Sequence, residues 1–364
     1  MNTPVTSARK LFLIMAGGTG GHVYPALSLA HELRSRGHDV AWLGTSKGIE
    51  KRLVPAADIQ LYEIDVFGIR GKGIIEKLKA PLSLLRALLQ SRKVVRSLSP
   101  NAMVGFGGFV AGPAGVAARL CSVPLIIHEQ NARAGTTNKL LARLAQRVLA
   151  AFPNALPNAE VVGNPVRAEM IQLESPLARA ENKTGPIRLL VVGGSLGAKF
   201  LNDALAKALA LIDSQARPLV KHQCGERWLA ECEQAYQAAG VEAEILPYID
   251  NMADAYSWAD FLICRAGAMT VSEVATVGVP ALFVPFPFAI DDHQTANADW
   301  LVDQGGARVV QQSQLTPEKM KAEIEFFLES RQNLAAMAEK NRAAAITDAA
   351  SRISNICEEL ANVA

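Results

Sequence analysis

The sequence predicts an α/β protein of two tandem halves, each a parallel sheet wrapped by helices. An apolar strand run, a glycine-rich loop and a helix follow one another between Leu11 and Arg36. The same grammar returns between Ile187 and Ile212, and further short apolar runs are spaced by segments of helical length.

Taken in order, Leu11 to Ala16 reads as a strand, GGTGGH fills Gly17 to His22, and a helix runs from His22 to Arg36, where Gly37 stops it. Asp39 to Leu43 is the next strand and closes a β-α-β unit. A second glycine loop, GFGGFVAGP, spans Gly105 to Pro113, and Pro124 to Ile127 is again a strand. Gly163-Asn164-Pro165-Val166-Arg167, whose proline biases its predecessor to extended backbone, and the polar run Glu181 to Pro186 place a hinge near Arg167. Beyond it come the strand Ile187 to Val192, the loop GGSLGA at Gly193 to Ala198, and a helix from Lys199 to Ile212. Val220 to Gln223, Glu244 to Leu246, Phe261 to Cys264 and Ala281 to Val284 are further strands, so both halves are Rossmann-like. Ala343 to Val363 reads as one alanine-rich helix that needs a surface to pack on, the first half being one candidate.

Composition narrows the function classes. The 364 residues, half of them apolar, exceed the usual single-domain range and suffice for two cores. A net charge of +2 gives no reason to expect a nucleic-acid partner. Five cysteines (121, 224, 232, 264 and 357) without a CxxC pair suit a reducing compartment. The apolar run before Gly17 is too short for a signal peptide, and no run reaches membrane-spanning length, so membrane contact is expected to be peripheral.

The glycine loops point to phosphate. Glycine lets backbone N–H groups approach an anion, and a following helix adds the partial positive charge of its N-terminus. The dinucleotide fingerprint GxGxxG fails, because Val23 and Val110 stand at the third glycine position and the strand AWLGT ends on Thr45 rather than an acid. No P-loop pattern occurs either. Glycine loops in both halves suggest instead a cleft where two substrates meet.

Polar constellations sit at strand ends. His128-Glu129-Gln130-Asn131 follows a strand, either as a ligand edge or as a loop whose Asn131 bonds local backbone. Arg265 to Glu273 opens a helix, and Glu273 suits either two ribose hydroxyls or an ordinary first-turn acid. Asp291-Asp292 invites a metal reading but also fits a helix start, and no histidine lies at ligand spacing, so no metal is expected. From Arg70 to Arg96 eight basic residues face a single acid, Glu76, with Ile74, Ile75, Leu78, Leu82, Leu85 and Leu89 at helical spacing. That stripe fits either an anionic membrane surface, with Lys72, Lys79 and Arg86 at its flanks, or burial in the protein's own core.

GGTGGHVYPA, GFGGFVAGP, HEQNARAG, VVGNPVR, VVGGSLGA, CRAGAMTVSE and DDHQTANA, in this order over essentially the whole chain, resemble the MurG-type glycosyltransferases. The resemblance implies a GT-B fold and transfer of N-acetylglucosamine (GlcNAc) from UDP-GlcNAc to lipid I, the undecaprenyl-linked muramyl pentapeptide, giving lipid II. It implies no cofactor, a location at the cytoplasmic face of the membrane, and cell-wall synthesis proteins as candidate partners. Residues 1–166, joined by a helix over 346–364, would bind acceptor and membrane, and residues 167–345 would bind UDP-GlcNAc.

By motif match, Ser195 would lie at the diphosphate, Arg167 and Ile249 beside the uracil, and Glu273 at the ribose. Ala268, Met269, Thr270, Val271 and Ser272 would line the diphosphate and sugar, Gln294 would read GlcNAc hydroxyls, and Thr19, Gly20, Gly21 and Asn131 would close over the sugar. Pro287-Phe288-Ala289 departs from relatives with a histidine at the second position, which touches only secondary sugar contacts.

The reaction needs a base for the 4-hydroxyl of the muramyl sugar. His22 is the candidate, since imidazole titrates near neutral pH; the alternative is a helix-start histidine bonding a loop carbonyl, and Glu129 is the reserve base. UDP departure falls to backbone N–H groups of the glycine loops, with Arg265 as a further candidate. The acceptor pyrophosphate is assigned to Gly18, Gly105, Gly107 and Gly108. Rival readings are another GT-B enzyme, such as a UDP-sugar 2-epimerase or a transferase to another acceptor, and a non-catalytic sugar-nucleotide sensor.

Overall fold

The computed structural model describes residues 9–66, 74–181, 183–194 and 196–363, with residues 74–79 and 290 described in backbone alone. The chain divides into two compact units, Met1–Arg167 with Asp348–Ala364, and Ala168–Thr347.

In the first unit the chain runs β1 (Leu11–Met15), α1 (Gly20–Ser35), β2 (Asp39–Gly44), α2 (Glu50–Ala56), β3 (Gln60–Glu63), α3 (Ile74–Leu98), β4 (Ala102–Gly105), α4 (Gly108–Leu120), β5 (Leu125–Glu129), α5 (Thr136–Leu141), β6 (Arg147–Ala150) and β7 (Glu160–Val161). The strands form one parallel sheet in the order β3-β2-β1-β4-β5-β6-β7. Successive side chains of β1 enter opposite cores, as a strand period of about two requires. Phe12 and Ile14 pack with α1, whereas Leu13 and Met15 pack with α4. Both faces being covered explains why the central strands read as unbroken apolar runs.

The second unit runs α6 (Ala168–Ile171), α7 (Pro176–Glu181), β8 (Arg188–Val192), α8 (Lys199–Ala210), β9 (Leu219–Gln223), α9 (Leu229–Ala239), β10 (Glu244–Leu246), α10 (Met252–Trp258), β11 (Phe261–Cys264), α11 (Ala268–Val277), β12 (Ala281–Phe283), α12 (His293–Asp303), β13 (Ala307–Val309), α13 (Pro317–Leu328) and α14 (Arg331–Ala344). Its parallel sheet has the order β10-β9-β8-β11-β12-β13. In both sheets the order reverses beside the first strand of the unit, where ligands of doubly wound folds gather at carboxyl ends.

Two expected boundaries move. The first helix begins at Gly20 rather than His22, because Thr19 takes extended dihedrals and its carbonyl accepts from His22 and Val23 N–H. The C-terminal helix is not one piece: α14 stops at Ala344, Ala345 is extended, and α15 (Ala349–Val363) follows. Packing imposes that break, since α14 lies on α11, whereas α15 lies on α1 with Ile353, Ile356 and Cys357 in the first unit's core.

Candidate functional site

In the first unit three loops converge at the carboxyl ends of β1, β4 and β5. The first is anchored from beneath. Trp42 Nε1 donates to Ala16 O at 2.8 Å, and Gly18 N–H donates to Glu50 Oε2 at 3.0 Å. His22, in the first turn of α1, has Nδ1 3.2 Å from Thr19 Oγ1, a hydroxyl. Beside it runs the second loop, where Gly107 and Gly108 both have positive φ (82° and 74°). A Cβ on Gly107 would lie 3.5 Å from His22 Cδ2 and 3.2 Å from Asn138 Nδ2; one on Gly108 would lie 3.1 Å from Gly17 O. Glycine here permits both the dihedrals and the approach of the loops.

The third loop is held by Glu129. Its Oε1 accepts from Asn131 N–H (3.0 Å) and Nδ2 (3.1 Å), and its Oε2 accepts from Gly135 N–H (3.0 Å) and Asn138 Nδ2 (2.9 Å). His128 is fully buried; its Nε2–H donates to Gly163 O at 2.8 Å while Nδ1 accepts from Gln130 Nε2 at 2.9 Å. Burial pushes its pKa down to about 4, so it is a neutral tie between β5 and the segment before Arg167. Asn164 Nδ2 donates to Gln130 O at 3.1 Å and strengthens the same tie. Of the four residues His128 to Asn131, three are therefore buried braces, and Asn131 alone is partly exposed.

In the second unit the glycine loop after β8 is clamped to the end of β9. Gln223 Nε2 donates to Gly194 O and Pro247 O, both at 3.2 Å. Gly197 has φ 71°, and a Cβ there would lie 1.9 Å from Cys224 O, so no other residue fits. Behind it, Asn202 Nδ2 donates to Cys224 O (3.1 Å) while Asn202 Oδ1 faces His222 Nε2 (3.1 Å). Burial lowers the His222 pKa to about 3, which keeps this ring neutral.

After β11, Gly267 is extended and α11 starts at Ala268, with Val271 N–H already donating to Gly267 O. The amides of Ala268, Met269 and Thr270 precede that first intrahelical bond and form the positive end of the helix. Glu273, one turn on, accepts from Tyr256 OH at 3.2 Å. Gln294 Oε1 accepts Phe286 N–H at 2.9 Å, which fixes the amide group's orientation on α12.

The model of the glycosyltransferase family 28 N-terminal domain matches residues 12–150, and that of its C-terminal domain matches residues 188–353. The chain is 51% identical over 355 residues to the UDP-N-acetylglucosamine–N-acetylmuramyl-(pentapeptide) pyrophosphoryl-undecaprenol N-acetylglucosamine transferase of Cupriavidus metallidurans, covering 98% of this chain and 99% of that one. A Burkholderia thailandensis relative of the same name is 48% identical over 361 residues, with 98% of each chain covered. The crystal structure of Acinetobacter baumannii MurG superposes with a TM-score of 0.85 at 44% identity, over 96% of this chain and 99% of that one. The chain belongs to the MurG-type members of glycosyltransferase family 28.

The GT-B fold expected of a MurG-type enzyme is thus present. Among its expected site residues, His22, Thr19, Gly20, Gly21, Gly107 and Gly108 gather in the first unit, and Ala268, Met269, Thr270 and Glu273 gather along α11. Arg167 Cζ lies 5.9 Å from the Tyr24 ring centroid, and Ile249 is buried just beyond β10. Ser272 is partly exposed on α11, whereas Ser195 and Lys72 lie outside the described residues.

At four of the expected positions the structure shows other engagements. Gly18 cannot offer its amide to a pyrophosphate, because that N–H points inward to Glu50. Gly105 is a buried strand residue of β4 packed under Met15, not a loop residue. Val271 turns into the core with its amide inside the helix. Arg265 is a brace: its guanidinium donates to Val284 O (3.0 Å), Pro285 O (3.1 Å) and Gln312 Oε1 (2.7 Å).

Glu50 and Asn138 were not legible as site residues, since neither lies in a glycine motif. The one local signal for Glu50 was an acid shortly after Thr45-Ser46-Lys47-Gly48, a pattern that helix starts commonly show.

The basic stretch forms α3, whose buried face is Ala87, Ser91 and Val95. Leu82, Leu85 and Leu89 are 73%, 52% and 55% exposed, so this part of the stripe is not spent on the core. Arg86 pairs with Asp65 at 3.0 Å but remains 70% exposed. Ile74, Ile75, Leu78 and Lys79 lie on the same helix in backbone alone. Among the described residues no helix is long and apolar enough to cross a membrane.

Proposed function

We propose that this chain is the hexosyltransferase that moves GlcNAc from UDP-GlcNAc to the 4-hydroxyl of the muramyl sugar of lipid I, inverting the anomeric centre and giving lipid II. The observation that carries this is identity of 51% across 98% of the chain to a transferase of that name, together with intact glycine loops in both units. The likeness is too high and too complete for the epimerase or sensor readings.

In this reading the second unit holds the donor. The α11 amides from Ala268 to Thr270 and the loop around Gly193 and Ser195 receive the diphosphate, Glu273 accepts the ribose hydroxyls, and Gln294 meets the sugar through its Nε2. Those fixed dipoles stabilise the charge that develops on departing UDP without reorganisation, so the mechanism routes no step through a metal.

The first unit holds the acceptor. Amides at the start of α4, beside Gly107 and Gly108, receive the pyrophosphate, and His22 takes the proton of the attacking hydroxyl. Asn131 and the exposed residues Thr19 and Gly21 contact the sugar. Glu129, with both carboxylate oxygens spent on its own loop, is a positioning residue rather than a base.

In this reading the exposed leucines of α3, with the basic residues beside them, enter the headgroups of an anionic leaflet, and the enzyme works peripherally at the cytoplasmic face of the membrane; the exposure of Leu82, Leu85 and Leu89 supports it. Transfer of radiolabelled GlcNAc from UDP-GlcNAc to a lipid I analogue tests the proposal. Labelled disaccharide product is expected; donor binding without transfer would return the sensor reading.

A further inference from the structure

Glu50 carries no part of the mechanism above, yet its carboxylate is 0% exposed and lies directly beneath the first glycine loop. Oε1 accepts from Thr45 N–H at 3.0 Å and from Thr45 Oγ1 at 2.7 Å, while Oε2 accepts from Gly18 N–H at 3.0 Å. Three glycines make room for it. A Cβ on Gly17 would lie 2.6 Å from Oε1, one on Gly44 would lie 2.9 Å from Cγ, and one on Gly48 would lie 1.8 Å from Oε2. A buried carboxylate is costly unless hydrogen-bonded, and this one meets donors through both oxygens.

We propose that Glu50 is the resident anion of the loop Gly17 to His22: it takes the inward amide that a phosphate would otherwise claim, and so sets the loop that carries His22. The loop's purpose is then to aim the base, and pyrophosphate recognition passes to the loop at Gly107 and Gly108. Glu50 is a positioning residue, since it acts through Gly18 and not on substrate. The inference rests on the acceptor role proposed for the first unit.

Glu50→Gln separates the two ends of the contact. A glutamine oxygen can keep both Thr45 bonds, but its NH2 then faces the Gly18 N–H, donor against donor. Gly48→Ala attacks from the other side: it retains the carboxylate but puts a Cβ where Oε2 now sits. Each variant is compared with the parent by hydrogen exchange over residues 17–22, by calorimetry with UDP-GlcNAc, and by GlcNAc transfer.

The expected result is faster exchange confined to that segment, unchanged donor affinity, and kcat lower by on the order of 10- to 100-fold. Unchanged exchange in folded Glu50→Gln protein, or kcat within about twofold of the parent, would overturn the proposal. If the parent itself transferred no GlcNAc, the functional reading would fall, while exchange at Gly18 would still decide whether Glu50 sets the loop.

Discussion

The hydroxyl of Tyr256, a fully buried side chain, donates to Glu273 Oε2 at 3.2 Å. One carboxylate oxygen of the residue assigned to the ribose is therefore held from within the unit, which orients the other. Tyr256→Phe should weaken UDP-GlcNAc binding by about 3- to 10-fold, the net value of an ordinary hydrogen bond, since the lost contact acts on the ligand only by orienting Glu273, with a smaller effect on kcat. Glu273→Ala should weaken it further, and calorimetry with UDP should show the same order.

Two glycines of the loop after β8 should respond differently to alanine. At Gly197 a Cβ meets Cys224 O at 1.9 Å in addition to a φ of 71°, so Gly197→Ala should cost about 3 kcal/mol or more and abolish measurable UDP binding. At Gly194 φ is 88° but nothing lies within 4 Å, so the cost should stay near 1–2 kcal/mol. Urea unfolding of the two variants checks the difference.

Replacing His22 by glutamine should lower kcat by on the order of 100- to 10,000-fold and leave donor affinity unchanged. Near-normal turnover would remove the imidazole from proton transfer. Addition of EDTA should leave the parent rate unaltered; loss of turnover with recovery on adding magnesium would transfer leaving-group stabilisation from the α11 amides to a metal.

Stability should fall in mild acid through two neutral histidines. His128 and His222 have folded-state pKa values pushed down to about 4 and about 3 by burial, against an ordinary value near 6.5. Below pH of about 6.5 the unfolded chain binds protons that the folded chain refuses, so stability decreases as pH falls until each folded-state pKa is reached. When fully expressed the loss is on the order of 3 kcal/mol for His128 and on the order of 5 kcal/mol for His222. Denaturation midpoints between pH 7 and 4 should drop, and His222→Gln should flatten part of that slope.

Paired replacement of Leu82 and Leu85 by glutamate should release the protein from anionic vesicles by on the order of tenfold or more, because two exposed apolar side chains lose their burial in lipid. Vesicle flotation at low salt reads this directly. Parent protein that does not float would count against the surface altogether.

Much of the candidate site was legible because its signals are local. A glycine with positive φ, as at Gly107 or Gly197, and a helix opening directly after a strand, as at Ala268, are properties of a few adjacent residues. Orientation was not legible. Gly18 and Gly107 look alike in sequence, yet one amide points into the protein and the other glycine faces His22. Arg265, read as a stabiliser of phosphate charge, spends its guanidinium on Val284, Pro285 and Gln312, residues distant in the chain.

By itself the sequence determined the two doubly wound units and their family, since strand and helix periods and ordered glycine motifs are written in consecutive residues. The tertiary structure alone decided that Glu50 closes beneath the first loop, that α15 leaves α14 to complete the other unit's core, and that Leu82 and Leu85 remain exposed. Each of those depends on which distant surfaces meet. A buried carboxylate or an apolar stripe records in sequence only that a partner is required; long-range packing decides where that partner lies.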